Sequence, residues 1–173
     1  MYNNSMTAEE KVIAFNHYVY QLVNEEHTDV IIIGVPGAIG KLNLSFPMGF
    51  GIIPFLVSQS IVPDYAIMCT FYAEFTDDMF FKVISESCKY KLGFPIDIYH
   101  MSGTYIDLQA TKENGEIKYT HVPDAFVEGL LHSNYGNSSI SVFNIYSESG
   151  EQALHNHLLK TLGFSFEEVK YIW

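Results

Sequence analysis

The sequence predicts an α/β fold: a three-layer, doubly wound and mostly parallel sheet with a small antiparallel hairpin insertion. Segments with helical periodicity alternate along the chain with short apolar segments that are typical of strands, which is the pattern of such sheets. With 48% hydrophobic and 17% charged residues, the composition is that of a folded domain. The length of 173 residues suits a single domain spanning residues 1–173.

The first part of the chain is predicted to contain a helix, a strand and a second helix. Thr7 and Glu10 form a capping box, and apolar residues follow at helical spacing to about Glu26. Residues 30–33 are a continuous β-branched run, which is typical of a strand buried on both faces. After a loop, residues from about 49 to 61 are expected to form a short helix.

The middle of the chain continues the alternation. Residues 65–72 and 96–101 are predicted strands. The helix between them is expected to be capped by Thr76 and to end at Gly93. Residues 104–121 read as a hairpin that turns at Asn114 and Gly115, because Asn-Gly between two β-type runs is a strong turn signal.

The last part of the chain is predicted to add two helices and one strand. Ser147 or Ser149 is the expected cap of the final helix. The predicted ranges are a helix at 124–131, a strand at 140–145 and a helix at about 150–162. The aromatic tail at 164–173 is expected to pack against the body of the domain.

The charge balance excludes some partners. Nine basic and twenty acidic residues give a net charge of −11, which disfavours nucleic acid and anionic membranes as partners. All the basic residues are lysines, so bidentate arginine contacts with carboxylate or phosphate are absent. The N-terminus lacks the apolar segment of a signal peptide, and a cytoplasmic location is expected.

Residues 42–63 contain no charged side chain. A membrane span is not expected there, because prolines and glycines interrupt the segment. The mean hydropathy of the chain, +0.09, is high for a small domain and implies spare apolar surface. We therefore expect this region to contact a protein partner or a second copy of the chain.

Ligands in doubly wound sheets lie beyond the carboxyl ends of the strands, and the first such loop follows residues 30–33. Gly34, Pro36 and Gly37 would let backbone approach a ligand closely, and Lys41 would supply a positive charge. The loop is not a phosphate-binding P-loop, because its glycine spacing is one residue too long and Leu42 replaces the serine or threonine. A plain tight turn is the alternative.

Two further strand ends supply candidates. Tyr72 ends the second predicted strand and Glu74 follows it, and His100 lies at the end of the third strand beside Ser102. A carboxylate and an imidazole there suit acid–base work or ligand binding. For His100 a structural role in the core is the alternative. The seven histidines do not form a ligand pattern, so no metal site is predicted and no cofactor is named.

Four segments carry a family resemblance. Residues 5–18, 29–39, 57–64 and 89–94 resemble the C-terminal half of a clostridial family of peptide maturation system proteins. The resemblance implies a role in natural product biosynthesis, with a precursor peptide as a partner. It also implies that the chain corresponds to the C-terminal part of longer members.

The run from Val30 into the glycine loop is also similar to the second nucleotide-contacting strand of dethiobiotin-synthetase-like proteins. That likeness implies half of a nucleotide-binding unit, but the chain has no P-loop of its own. ATP hydrolysis by this chain alone is therefore not expected.

Three hypotheses follow. The first is a binding or accessory domain of a peptide-modifying assembly, with a small-ligand or nucleotide site at the strand ends. The second is a small-molecule enzyme that uses Lys41, Glu74 and His100 around one pocket. The third is a scaffold domain without a ligand.

Overall fold

The computed structural model describes residues 6–25, 28–40, 51–73, 76–136 and 138–163. The chain divides into two compact units. The first, which we call the N-terminal unit, consists of Met1–Pro63 and Glu86–Phe94. The second, which we call the sheet unit, consists of Asp64–Ser85 and Pro95–Trp173. A single domain over the whole chain stays a prediction.

The N-terminal unit contains helices α1 (Ala8–Glu25) and α2 (Ile52–Ser60). The capping box of α1 is confirmed: the Thr7 N–H donates to Glu10 Oε2 at 2.7 Å, and the Glu10 N–H donates to Thr7 Oγ1 at 3.2 Å. Asn16 joins the two helices, because its side-chain amide donates to the Ser60 carbonyl at 2.7 Å.

The predicted buried strand at residues 30–33 is wrong. The described residues 28–40 contain neither helix nor strand, and Val30 and Ile32 are 51% and 91% exposed. A β-branched run forms a strand only where a neighbouring backbone pairs with its N–H and C=O groups. No strand of the described chain pairs with this segment, so the loop at 34–40 does not follow a sheet edge.

The sheet unit contains a parallel sheet whose central strand is β2. The order is β1 (Ile67–Phe71), β2 (Ile98–Ser102) and β5 (Val142–Phe143), and β2 pairs in parallel with both neighbours. Strands β3 (Thr104–Ile106) and β4 (Tyr119–His121) pair antiparallel. The predicted α/β class, mostly parallel with a small antiparallel addition, is confirmed.

The sheet unit also holds three whole helices and the first part of a fourth: α4 (Leu108–Asn114), α5 (Asp124–Tyr135), α6 (Glu148–Leu162), and residues 78–85 of α3 (Asp78–Leu92), whose remainder belongs to the N-terminal unit. Phe81 of α3 is at the centre of the core. The Tyr99 ring lies 4.4 Å from the Phe81 ring, and its hydroxyl donates to the Phe81 carbonyl at 2.8 Å. Tyr135 of α5 packs against Phe81 with ring centroids 5.6 Å apart. These aromatic contacts tie α3 and α5 to the central strand.

The predicted hairpin turn is wrong, although the antiparallel pairing is confirmed. Asp107 caps α4, since its Oδ1 accepts the Ala110 N–H at 2.8 Å. Gly115 ends that helix with φ 71°, and its N–H donates to Thr111. Asn-Gly suits a left-handed helix end as well as a hairpin turn, and the cap at Asp107 favours the helix.

The caps of the long helices are mostly as predicted. Asp77 rather than Thr76 caps α3, because its Oδ1 accepts the Phe80 N–H at 2.7 Å. Gly93 and Gly163 follow α3 and α6 with φ 90° and 68°, as expected for helix ends. Ser147 is the cap of α6.

The predicted tail lies outside the described residues. None of the helices in the described ranges has both the length and the apolar content that crossing a bilayer requires.

Candidate functional site

The candidates around the first glycine loop do not form a site in the described residues. Gly34, Pro36 and Gly37 are exposed residues of the N-terminal unit. A Cβ added at Gly34 or Gly37 would meet no atom within 4 Å, so neither glycine marks a close backbone approach. Lys41 and Glu74 lie outside the described residues.

The other three candidates share the carboxyl end of the sheet in the sheet unit. The Tyr72 N–H donates to the Thr104 carbonyl at 2.9 Å, just beyond β1. Ser102, the last residue of β2, accepts the Thr104 N–H at 3.3 Å. His100 lies two residues earlier in β2, on the same face of the strand as Ser102. The structure therefore brings Tyr72, His100 and Ser102 to one edge.

His100 is the most buried of these side chains, at 2% exposure. Its Nδ1 lies 3.2 Å from the Ile145 backbone nitrogen and 3.4 Å from the Phe143 carbonyl oxygen. The Tyr146 ring packs edge-on against the imidazole, with centroids 4.8 Å apart. The residues that follow β5 thus surround the His100 ring.

The hydrogen bonds of His100 leave one ring nitrogen unsatisfied. A backbone N–H can only donate, so the shorter contact with Ile145 makes Nδ1 an acceptor and assigns the proton of the neutral ring to Nε2. Within the described residues, Nε2 is a buried side-chain atom without a hydrogen-bond partner. A buried donor without an acceptor costs about 1–3 kcal/mol, a cost that an acceptor from a ligand would remove.

Burial lowers the pKa of the His100 imidazole below its ordinary value of 6.5. The Phe143 carbonyl, which would accept from Nδ1 of the charged ring, and the charge of Asp124 act in the opposite direction, but they do not outweigh the loss of solvation. The ring is therefore neutral at neutral pH, with a proton to donate from Nε2.

Asn144 organises the loop beyond β5 and is 1% exposed. Its side-chain amide donates to Asp124 Oδ1 at 3.1 Å, and its Oδ1 accepts the Tyr146 N–H at 3.2 Å. Its backbone carbonyl accepts the Ser147 hydroxyl at 2.8 Å. A Cβ at Gly150 would lie 1.9 Å from that carbonyl oxygen, so only glycine allows this close approach.

The starts of α5 and α6 are joined beside this loop. The Ser149 hydroxyl donates to Glu128 Oε1 at 2.7 Å. The neighbouring Ser147 and Ser149 hydroxyls lower the pKa of the Glu128 carboxyl. We call the assembled set the carboxyl-edge cluster. It comprises His100, Asp124, Glu128, Asn144, Ser147 and Ser149.

Most of the carboxyl-edge cluster was not singled out as a site by the sequence. The carboxyl ends of the strands were expected to hold the site, and Ser147 or Ser149 was expected as a helix cap. Asp124 is the first residue of α5 and Asn144 directly follows β5, so local sequence patterns could have indicated both positions. Their pairing across 20 residues depends on the tertiary fold.

The chemistry of the cluster is that of a polar binding edge. No group of three or more histidine, cysteine or acidic side chains in the described chain could hold a metal ion. No protein-family model, curated protein or solved structure matches the chain. The site must therefore be interpreted from its own donors, acceptors and charges.

Two helix glycines should respond oppositely to alanine. Gly150→Ala is expected to destabilise the protein by about 1–3 kcal/mol, because the new Cβ collides with the Asn144 carbonyl. Gly129→Ala in α5 should stabilise it by about 0.5–1 kcal/mol, because its Cβ meets nothing within 4 Å. Urea unfolding followed by circular dichroism measures both. Equal effects would contradict the close approach at Gly150.

His100 should make the protein less stable in acid. Because its folded-state pKa is below that of the unfolded chain, its neutral form stabilises the fold fully above the unfolded value of about 6.5. That contribution is lost as the pH falls through the lower folded value. The free energy of unfolding, measured in urea between about pH 7 and pH 5, should fall less steeply in His100→Leu. The exposed His132→Leu is the control, and a slope unchanged by His100→Leu would contradict the burial of a neutral ring.

Proposed function

We propose that the chain is a binding or accessory α/β domain of a peptide natural-product maturation system, and that it holds a peptide at the carboxyl-edge cluster. The observation that carries the binding site is the buried Nε2–H of His100, which lacks an acceptor among the described residues. The family resemblance of residues 5–18 and 29–39 supports the maturation role.

The donors and acceptors at this edge suit a peptide group. A peptide unit offers one acceptor, its C=O, and one donor, its N–H. His100 supplies a donor at Nε2, and Asp124 supplies an exposed carboxylate acceptor. Tyr146 is 75% exposed and packs edge-on against the imidazole, and we propose that its side chain moves aside when a ligand binds.

The charges disfavour a nucleotide at the same place. Asp124 and Glu128 are both acidic, and the cluster contains neither lysine nor arginine. A triphosphate would meet repulsion there rather than compensation. A neutral or cationic peptide suits both the cluster and the net charge of −11. A nucleotide at the loop of residues 34–41 stays a separate hypothesis.

Protein contacts are part of the proposal. In the described part of the uncharged 42–63 region, Ile52 and Val62 are 57% and 78% exposed. Apolar side chains on a surface are typical of a partner interface when they are grouped. We propose that this region binds a protein partner or a second copy of the chain.

A small-molecule enzyme is the second candidate. A general base at His100 would need the other tautomer, with Nε2 unprotonated; the lowered pKa favours a neutral ring but not that tautomer. The enzyme hypothesis also requires Lys41 and Glu74, which lie outside the described residues. A scaffold domain without a ligand predicts that the carboxyl-edge cluster binds neither substrate nor peptide.

Binding is tested by nitrogen-15 NMR with acetyl-trialanine amide, a neutral peptide, as the probe at millimolar concentration. Shifts are expected at His100 Nε2 and in the backbone of residues 144–147, because the peptide carbonyl would accept the Nε2 proton. Acetyl-trialanine with a free carboxylate should bind more weakly, since the neighbouring groups are acidic. His100→Leu should remove the shifts and His132→Leu should not. Absence of shifts at these positions would support the scaffold hypothesis instead.

The maturation role is tested in a host that carries the gene. Deleting the gene should abolish the modified peptide in mass spectra of cell extracts, because the modifying assembly would lack its binding domain. Wild-type and His132→Leu chains should restore the product, whereas His100→Leu should not. An unchanged yield of modified peptide in the deletion strain would reject the role without bearing on peptide binding itself.

A further inference from the structure

The outer edge of β1 presents unpaired backbone groups. In the described sheet β1 is an edge strand, with β2 on its other side. The Ala66 carbonyl accepts the Asp97 N–H at 3.0 Å, so the backbone groups of the even-numbered residues of this strand face β2. The N–H and C=O groups of the odd-numbered residues therefore point outward. Within the described part of the chain they have no backbone partner, and they belong to Ile67, Cys69 and Phe71.

This edge lacks the features that keep exposed strands apart. The side chains of Ile67, Cys69 and Phe71 are all exposed. Residues 65–73 contain neither a charged side chain nor a proline. Proteins usually protect an edge strand with charge, proline or a bulge, because its free backbone groups are a template for one more strand. The outer edge of β1 is therefore suited to pairing with an extended segment.

The chain also carries an unpaired segment with the properties of a strand. Residues 30–33 are all β-branched, and residues 30–40 contain no charge. Val30 and Ile32 are exposed whereas Ile31 and Ile33 are half-buried, which is the alternation of the two faces of a strand. No backbone hydrogen bond joins these four residues to another described residue. The segment therefore lacks only a partner backbone.

We infer that residues 30–33 of one copy pair with the outer edge of β1 in a second copy, and that the reciprocal exchange forms a two-fold dimer. The described structure contains no hydrogen bond between this segment and β1 of the same chain. A second copy carries the matching segment in the same exposed state, and the exchange satisfies two edges at once.

Charge does not oppose this pairing locally. Residues 30–40 and 65–73 are both uncharged, so no like charges meet where the strands join. The net charge of −11 on each copy acts over longer distances, where salt screens it. The inference does not depend on the proposed function.

The first test measures mass by light scattering during size-exclusion chromatography of the full chain. At high micromolar concentration the wild type should have twice the 19.7 kDa of one chain. Consecutive N–H groups of a strand point to opposite sides, so either Ile31 or Ile32 donates to β1 in any register. The double variant Ile31→Pro/Ile32→Pro removes that donor and should raise the dissociation constant of the dimer roughly tenfold or more.

The matched control is Ile31→Val/Ile32→Val, which keeps both N–H groups and the β-branched shape and should leave the dissociation constant nearly unchanged. The proline variant should fold, because the replaced amides have no backbone partner among the described residues. A wild-type chain that is monomeric at every concentration would overturn the inference. So would a folded proline variant that dimerises as tightly as the valine control.

Hydrogen exchange followed by NMR locates the contact on β1. The amides of Ile67, Cys69 and Phe71 should exchange about tenfold or more slowly in the wild type than in the proline variant, because they are bonded only in the dimer. The amides of Met68 and Thr70 face β2 and should be protected equally in both. A dimer that leaves the three outward amides unprotected uses another surface and contradicts the inference.

Cysteine cross-linking distinguishes a second copy from the chain's own segment. Ile31→Cys and Ile32→Cys are made separately and oxidised, with Cys69 as the partner thiol, since Cys88 is buried. One variant should give a covalent dimer on a non-reducing gel and the other much less, because successive side chains point to opposite faces. Mass spectrometry should identify the new thiol joined to Cys69. A bond within one chain, equal yields from both variants, or no bond in either would overturn the inference, and this test holds even if the proline variant does not fold.

Discussion

The structure of the sheet unit depends on the burial of β2 between two parallel neighbours. His100 pairs with Cys69 of β1 on one side and with Phe143 of β5 on the other. Residues 98–101 are buried, and the next element of the core, Phe81, packs on Tyr99. Polar side-chain groups that such a strand brings inside are out of reach of water, so leaving one without a hydrogen-bond partner is costly.

The carboxyl edge is a consequence of that requirement. The imidazole of His100 enters the core on β2, and the turn after β5 supplies the Ile145 N–H to its Nδ1. Asn144 holds the turn in place through its bond to Asp124. These bonds satisfy one nitrogen of the ring and leave Nε2 free of partners in the described chain. Among the described residues, the edge is thus hydrogen-bonded to backbone at Nδ1 of His100 and unsatisfied at Nε2.

The starts of α1 and α6 were predictable because their signals are local. The capping box at Thr7 and the cap at Ser147 depend on side chains within three residues of the backbone groups they satisfy. The strand at residues 30–33 was not predictable from its β-branched run, because a strand also needs a partner backbone. The hairpin turn predicted at Asn114 and Gly115 was wrong for a related reason. The same dipeptide can end a helix or turn a hairpin, and here the cap at Asp107 favours the helix.

By itself, the sequence determined the α/β class, most helix ends, the acidic charge and the carboxyl ends of the strands as the place to look for a site. These properties follow from spacing, caps and composition, which operate over a few residues or over the whole chain. Only the tertiary structure joined His100 to Ile145 and Asn144 to Asp124. Hydrogen bonds between residues 20 and 45 positions apart depend on how the strands and helices pack, and no local pattern encodes that distance.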